Sequence, residues 1–125
     1  MNRITVDLRS RTPLFEQIIA SVRDLVIRGL LAPDEALPSV RTLASELAIN
    51  PNTIQKAYAE LERQGVIYSL SGRGNFVASD ISEIINANKS GLLEKLRADI
   101  AAARQAGISE SEIRKLIEEG GEEND

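Results

Sequence analysis

The chain has 125 residues and a formal net charge of −4, so it is near the size of one domain, and any second module must be small and supported by the first or by a partner. Hydrophobic residues make up 42% and charged residues 27%, as in folded globular proteins, and without a long apolar run or a signal-peptide core a cytoplasmic location is expected. The lack of cysteine, histidine and a glycine-rich phosphate loop argues against an enzyme, and no metal or cofactor is predicted.

The first predicted helix follows a short N-terminal segment. Apolar Ile4, Val6 and Leu8 alternate with polar residues, which indicates a short strand or an extended arm. Thr12 and Pro13 then resemble an N-cap and a first helical residue. Helical spacing of apolar residues continues as far as Gly29, through Leu14, Ile18, Ile19, Val22, Leu25 and Val26.

Two further short helices follow a segment that contains Pro33. Pro38 and the potential cap Ser39 predict the start of the second helix, and Asn50 with Pro51 repeats the same signal for the third. The expected buried face of the third helix consists of Ile54, Ala57, Tyr58 and Leu61. Two short helices joined by a tight turn form a helix-turn-helix.

The pattern changes after Gly65. Apolar residues on either side of the sequence Ser71-Gly72-Arg73-Gly74 predict a β-hairpin with a basic, glycine-rich tip. Helical spacing resumes over residues 81–107, with a break or kink possible at 86–91, and a capping box from Ser109 to Glu112 starts a last helix.

The expected fold class is therefore mainly α with a small β-hairpin wing: a winged helix-turn-helix followed by a C-terminal helical dimerisation tail. The expected domains are residues 1–80 for the DNA-binding module, 81–120 for the tail and 121–125 for a disordered acidic end.

The acidity of the chain lies in the tail. Residues 1–80 carry nine Lys or Arg and nine Asp or Glu, whereas residues 81–125 carry six and ten. A neutral first module can still present a local cationic face, which is what binding to a duplex requires.

Candidate DNA-binding residues lie at the start of the third helix, because the second helix of a helix-turn-helix enters the major groove by its first turn. Amides can pair with adenine, threonine with a thymine methyl or a phosphate, and lysine with guanine or a phosphate. These residues are Asn52, Thr53, Gln55 and Lys56. The alternative is that they are only the solvated face of an amphipathic helix.

Two arginines extend this candidate surface. Arg41, in the first turn of the second helix, can reach the DNA backbone, and Arg73, between Gly72 and Gly74, suits a narrow minor groove. A soluble surface arginine and an ordinary turn are the alternatives.

The tail carries apolar residues at the spacing of a helix-packing seam, and 45 residues cannot easily enclose their own core. Burial against a second copy is favoured, and packing onto the first module is the alternative. The candidate dimerisation residues are Leu92, Leu93, Leu96, Ile100, Ala103, Ile113, Leu116 and Ile117.

The sequence resembles the GntR family of bacterial regulators over about residues 10–78. The matching stretches are residues 13–18 (PLFEQI), 37–44 (LPSVRTLA) and 50–54 (NPNTI), with Ala57, Tyr58, Leu61, Gly65 and residues 72–74 (GRG). The short tail is similar to the YtrA-like branch of that family.

The resemblance implies a homodimer that binds an inverted-repeat operator, with DNA contacts at Ser39, Arg41, Asn52, Thr53, Gln55, Lys56, Gly72 and Arg73. A dimer bound over a promoter is expected to repress by blocking polymerase, and the similarity to the YtrA-like branch implies a transporter operon as an expected target. No sequence feature identifies a small-molecule effector. Two rival readings are a protein-interaction module with a recruiting acidic tail, and a membrane-surface helix at residues 81–106, which lacks the usual aromatic and basic character.

Overall fold

The computed structural model describes residues 3–123 of the chain, which divides into two compact units, Met1–Ile85 and Asn86–Asp125. The described elements are, in chain order, α1 (Leu14–Ile27), α2 (Val40–Leu47), α3 (Pro51–Arg63), β1 (Ile67–Leu70), β2 (Gly74–Val77), α4 (Ser82–Gln105) and α5 (Glu110–Glu123). The predicted fold class, mainly helical with a small hairpin, is confirmed.

The N-terminal arm, residues 3–12, contains no strand, and its Ile4 is buried. The prediction that Thr12 caps α1 is wrong: Pro13 occupies the N-cap position with an extended backbone (ψ 142°) and there is no side-chain cap. The carbonyl of Thr12 instead accepts a hydrogen bond from the Gln17 side chain at 2.8 Å, which joins the arm to the helix. Gly29 follows the end of α1 with φ at 75°, as expected of a C-terminal stop.

The two caps predicted for the helix-turn-helix are present. The Ser39 hydroxyl accepts a hydrogen bond from the backbone N of Thr42 at 3.1 Å, and the Asn50 side chain accepts one from the backbone N of Asn52 at 2.8 Å. The buried face of α3 consists of the four predicted residues, which pack it against α1 and α2. Local sequence signals therefore set both the start and the rotation of α3.

Strands β1 and β2 pair antiparallel with Ile67 opposite Val77 and Leu70 opposite Gly74. A feature absent from the sequence prediction is a bridge between Ala36 and Phe76 on the other side of β2. Leu37 N donates to the carbonyl of Asn75 at 2.8 Å and Val77 N to that of Glu35 at 2.9 Å. The segment between α1 and α2 therefore acts as a third strand that ties the hairpin to the helices.

One apolar core joins the arm, the three helices and the hairpin in the first unit. Its members with no measurable exposure include Ile18, Val22, Val26, Leu43, Ile54, Leu61, Val66 and Val77. Because every element of the unit contributes to this core, the candidate DNA-binding residues are held on one rigid support.

Helix α4 continues without a break through residues 86–91, where the sequence allowed a kink. Its first turn belongs to the first unit because Ile84 is buried in that core, so the boundary between units falls at residue 85. The capping box is present: Ser109 Oγ accepts from Glu112 N at 3.2 Å, and the Glu112 carboxylate accepts from Ser109 N at 3.0 Å. Of the predicted acidic end, residues 121–123 continue α5, and Asn124 and Asp125 lie outside the described residues.

Candidate DNA-binding surface

The start of α3 presents a polar face. Asn52, Gln55 and Lys56 are exposed and Thr53 is half-buried, while Ile54, one residue along, is fully buried. The four residues of α3 that the sequence predicts to contact DNA therefore lie on the outer side of the helix, and its inner side is fixed by packing. Such a helix can present amide and ammonium groups to base edges or phosphates.

Lys56 has a partner that the sequence analysis did not identify. Its ammonium nitrogen lies 4.0 Å from the centroid of the Phe15 ring, a cation–π contact between α3 and the start of α1. Phe15 is half-buried and packs against the core, so the ring is a fixed surface under a long side chain. The signal available in the sequence was an aromatic residue at the start of the first helix, but its distance from Lys56 along the chain concealed the contact.

At the start of α2, Ser39 and Arg41 lie on the same turn. The Ser39 hydroxyl donates to Thr42 Oγ1 at 2.8 Å in addition to capping the helix, so its hydrogen atom is already used. Arg41 is exposed. The Tyr58 hydroxyl donates to the carbonyl of Pro38 at 2.7 Å and so connects α3 to this turn, and burial raises the pKa of Tyr58 so that it stays protonated.

The wing tip is a tight turn closed by a hydrogen bond from Arg73 N to the carbonyl of Leu70 at 2.9 Å. Gly72 has φ at 76° and Gly74 at 108°, values that L side chains rarely adopt. Arg73 is exposed between them. The glycines are therefore needed for the turn itself, and they leave the guanidinium at the outer end of the hairpin.

The root of the wing is fastened by Asp34. One of its carboxylate oxygens accepts hydrogen bonds from Ser79 Oγ at 2.6 Å and from the Tyr68 hydroxyl at 2.8 Å. These bonds hold the pKa of Asp34 below its usual range, and the bond to Asp34 raises the pKa of Tyr68. The Tyr68 ring stacks on Phe76 across the two strands, with centroids 5.5 Å apart.

Some cations in the described part of the first unit are paired with a carboxylate and others are not. Arg3 pairs with Glu35, Arg28 with Asp24, and Arg63 with Glu60, whose pKa is lowered to about 2 by the Arg63 hydrogen bond. Three predicted DNA-binding cations have no carboxylate within 4.0 Å among the described residues: Arg41, Lys56 and Arg73. A cation that no neighbouring carboxylate neutralises is available to bind phosphate.

The second unit exposes the residues predicted for dimerisation. Leu93 and Leu96 on α4 are 52% and 53% exposed, and Leu116 and Ile117 on α5 are 66% and 69% exposed. Leu92 is also exposed, while Ile100, Ala103 and Ile113 are half-buried. Apolar side chains of this size at such exposure can be covered by a second protein surface.

Over residues 3–123, no group of three or more acidic residues is arranged to hold a metal ion, and no helix is long and apolar enough to cross a membrane. A helix-turn-helix packed against a two-stranded hairpin, with cations on α2, α3 and the hairpin tip that no described carboxylate neutralises, defines a winged-helix DNA-binding protein.

The model of the bacterial regulatory proteins of the gntR family matches residues 14–77, which is half of the chain, and the chain belongs to this family. It is similar to the HTH-type transcriptional repressor YtrA of Bacillus subtilis, with 39% identity over 98% of this chain and 99% of that protein. The predicted family and its short-tailed branch are thereby confirmed. The protein is a DNA-binding transcriptional regulator of a non-enzymatic family.

Solved structures agree with this assignment. A transcriptional regulator from Oenococcus oeni is 32% identical, covers 92% of this chain and 96% of its own, and superposes with a TM-score of 0.78. The AraR DNA-binding domain in complex with operator ORX1 is 26% identical, with a TM-score of 0.56 over 62% of this chain and 100% of its own.

Proposed function

We propose that this protein is a repressor that binds an inverted-repeat operator as a homodimer, with α3 in the major groove and the wing tip in the flanking minor groove. The observation that carries the proposal is that Arg41, Lys56 and Arg73, on three elements of one rigid unit, have no carboxylate within 4.0 Å among the described residues, whereas Arg3, Arg28 and Arg63 are each paired with one. The similar AraR domain is bound to an operator in its own structure, which supports the same use of this fold.

The proposed contacts divide by chemistry into those that position the protein on the DNA backbone and those that recognise bases. Arg41 and Lys56 neutralise phosphates and fix the register of α3 on the duplex. Asn52 and Gln55 carry the amide groups that distinguish adenine from other bases. Arg73 enters the minor groove, where narrow A·T-rich stretches attract a guanidinium. The cap at Ser39 orients the backbone N–H groups at the start of α2 toward the phosphate backbone of the DNA.

Dimerisation is assigned to the exposed apolar residues of α4 and α5. Two copies joined through this surface present two α3 helices to half-sites about one helical turn apart, or a multiple of it. Binding over a promoter then blocks polymerase. The regulated genes, for which the family resemblance implies a transporter operon, are found by sequencing the DNA that the protein retains in cells.

The decisive experiment is a binding titration against DNA from the protein's own promoter and a random duplex at several salt concentrations. We expect selective binding whose affinity falls steeply with salt, with a slope reduced by about 0.9 for each phosphate-binding cation replaced by glutamine. Arg41→Gln tests this change in slope, Arg73→Gln tests the affinity contributed in the minor groove, and Arg28→Gln, whose side chain is paired with Asp24, is the matched control. Weak binding without selectivity or salt dependence supports the protein-interaction alternative instead.

The reading role of Asn52 is tested separately. Asn52→Ala should weaken operator binding by about 1–3 kcal/mol and leave random-duplex binding almost unchanged. An equal loss on both duplexes would exclude base reading by this residue.

The dimer is tested in the full chain by sedimentation. Leu93→Glu with Leu96→Glu should produce a monomer that retains its helical content, because a carboxylate placed in an apolar interface costs several kcal/mol unless it is paired. Arg97→Glu, an exposed change on the same helix, is the control. A dimer that survives the double substitution contradicts the assignment of this surface.

A further inference from the structure

The turn that precedes α1, residues 7–12, is held in one conformation by Gln17. The Gln17 side chain accepts a hydrogen bond from the backbone N of Asp7 at 2.7 Å and donates to the carbonyls of Asp7 and Thr12 at 3.1 and 2.8 Å. Within the turn, the Asp7 carboxylate accepts from Arg9 N at 2.9 Å and Ser10 Oγ from Thr12 N at 3.1 Å. The backbone of this turn is therefore fixed at both ends on the first turn of a helix.

This turn carries two arginines, Arg9 and Arg11, that are exposed and have no carboxylate within 4.0 Å among the described residues. Arg41, Lys56 and Arg73 likewise have no described carboxylate partner. The arginines in the ion pairs described above differ from them in this respect. A guanidinium is always charged, and in a bidentate arrangement it fits a phosphate group.

The turn also lies next to the candidate DNA-binding surface. Arg11 is four residues from Phe15, whose ring contacts the Lys56 ammonium at 4.0 Å, so the Cα atoms of Arg11 and Phe15 are at most about 14 Å apart. Successive phosphates of one strand advance about 3.4 Å along the duplex axis, so this distance spans about four base pairs. A phosphate backbone that contacts Lys56 and runs toward the start of α1 therefore passes within reach of the turn.

We propose that residues 7–12 form a second DNA-backbone-binding element, in which Arg9 and Arg11 contact phosphates beside the one bound by Lys56. This inference rests on the proposed function and adds a contact outside the helix-turn-helix and the wing. The partner is the phosphate backbone of duplex DNA, so the element contributes affinity and register but no sequence selectivity.

The test is the salt dependence of DNA binding by the full chain with Arg9→Gln and Arg11→Gln combined. Arg28→Gln with Arg114→Gln removes the same number of charges from internally paired positions and is the control. At about 0.9 per phosphate, the double variant should lose about 1.8 from the slope of log K against log salt, a loss of about 60-fold at about 0.1 M salt. The losses on promoter DNA and on a random duplex should be equal.

A slope equal to that of the wild type or of the control overturns the inference, and so does a loss confined to promoter DNA. Failure of the proposed function is a different result, because there the wild type itself shows no selective, salt-dependent binding. Unchanged circular dichroism of the double variant is expected, since neither side chain has a described intramolecular contact, and it verifies that the slopes compare folded proteins.

Discussion

Replacing Phe15 by leucine tests whether the cation–π contact prepares Lys56 for DNA. Leucine keeps an apolar side chain against the core and removes the ring face 4.0 Å from the ammonium. A contact of this kind at an exposed site is worth about 0.5–1 kcal/mol, and fixing a long side chain at an interface costs about 0.5–1.5 kcal/mol. If the ring holds the ammonium at the position from which it binds a phosphate, Phe15→Leu should weaken DNA binding by about two- to fivefold.

The assay is a double-mutant cycle on DNA affinity, measured by fluorescence anisotropy for Phe15→Leu, Lys56→Met and both together. Lys56→Met should reduce the salt slope by about 0.9, because one phosphate contact is lost. In that background Phe15→Leu should have almost no effect. Ile19→Leu, another half-buried α1 residue that packs against the core, is the control for altered packing.

Two results would refute this reasoning. A Phe15→Leu loss that persists in the Lys56→Met background would mean that the ring acts through packing alone. Tighter binding by Phe15→Leu would mean that the ammonium has to leave the ring before it can reach the DNA, so that the contact competes with binding.

Three further predictions concern stability. Tyr58→Phe removes the 2.7 Å hydrogen bond to the Pro38 carbonyl and should lower the free energy of unfolding by about 1 kcal/mol in urea denaturation, and an unchanged midpoint would contradict it. Asp34→Asn should destabilise the protein near neutral pH but progressively less below about pH 4, because the lowered pKa of Asp34 contributes stability that is lost as its carboxylate is protonated; a difference independent of pH would refute this. Gly91→Ala should stabilise α4 by about 1 kcal/mol in thermal melts, since an added Cβ meets no atom within 4 Å, and a lower melting temperature would indicate that another surface approaches this glycine closely.

Elements whose signals are local in the chain could be predicted from the sequence. Ser39 and Asn50 each precede a helix whose first amide groups they cap, and the apolar spacing of α3 fixes which side chains face inward. The glycines around Arg73 predict a turn from a local signal as well, because a glycine adopts positive φ without steric cost. These local signals sufficed to position the predicted reading residues.

Contacts between residues far apart in the chain could not be predicted in this way. Asp34 meets Tyr68 and Ser79, which lie 34 and 45 residues further along, and Lys56 meets Phe15 across two helices. Nothing in the spacing of these residues indicates that they touch. The cap predicted at Thr12 is wrong because the Thr-Pro signal takes no account of Gln17. The Gln17 side chain lies within the helix and binds the Thr12 carbonyl.

The strand-like segment beside β2, residues 35–37, also determines which distances between DNA-binding elements can change independently. Glu35 and Leu37 bond to β2 on one side, and the chain enters the cap of α2 two residues later, so the hairpin tip and the helix-turn-helix cannot shift separately. In the proposed dimer, the distance between major-groove and minor-groove contacts within a half-site is therefore constant. Substitutions confined to the tail of that proposed dimer are therefore expected to change the separation of its half-sites and to leave the geometry within each half-site unchanged.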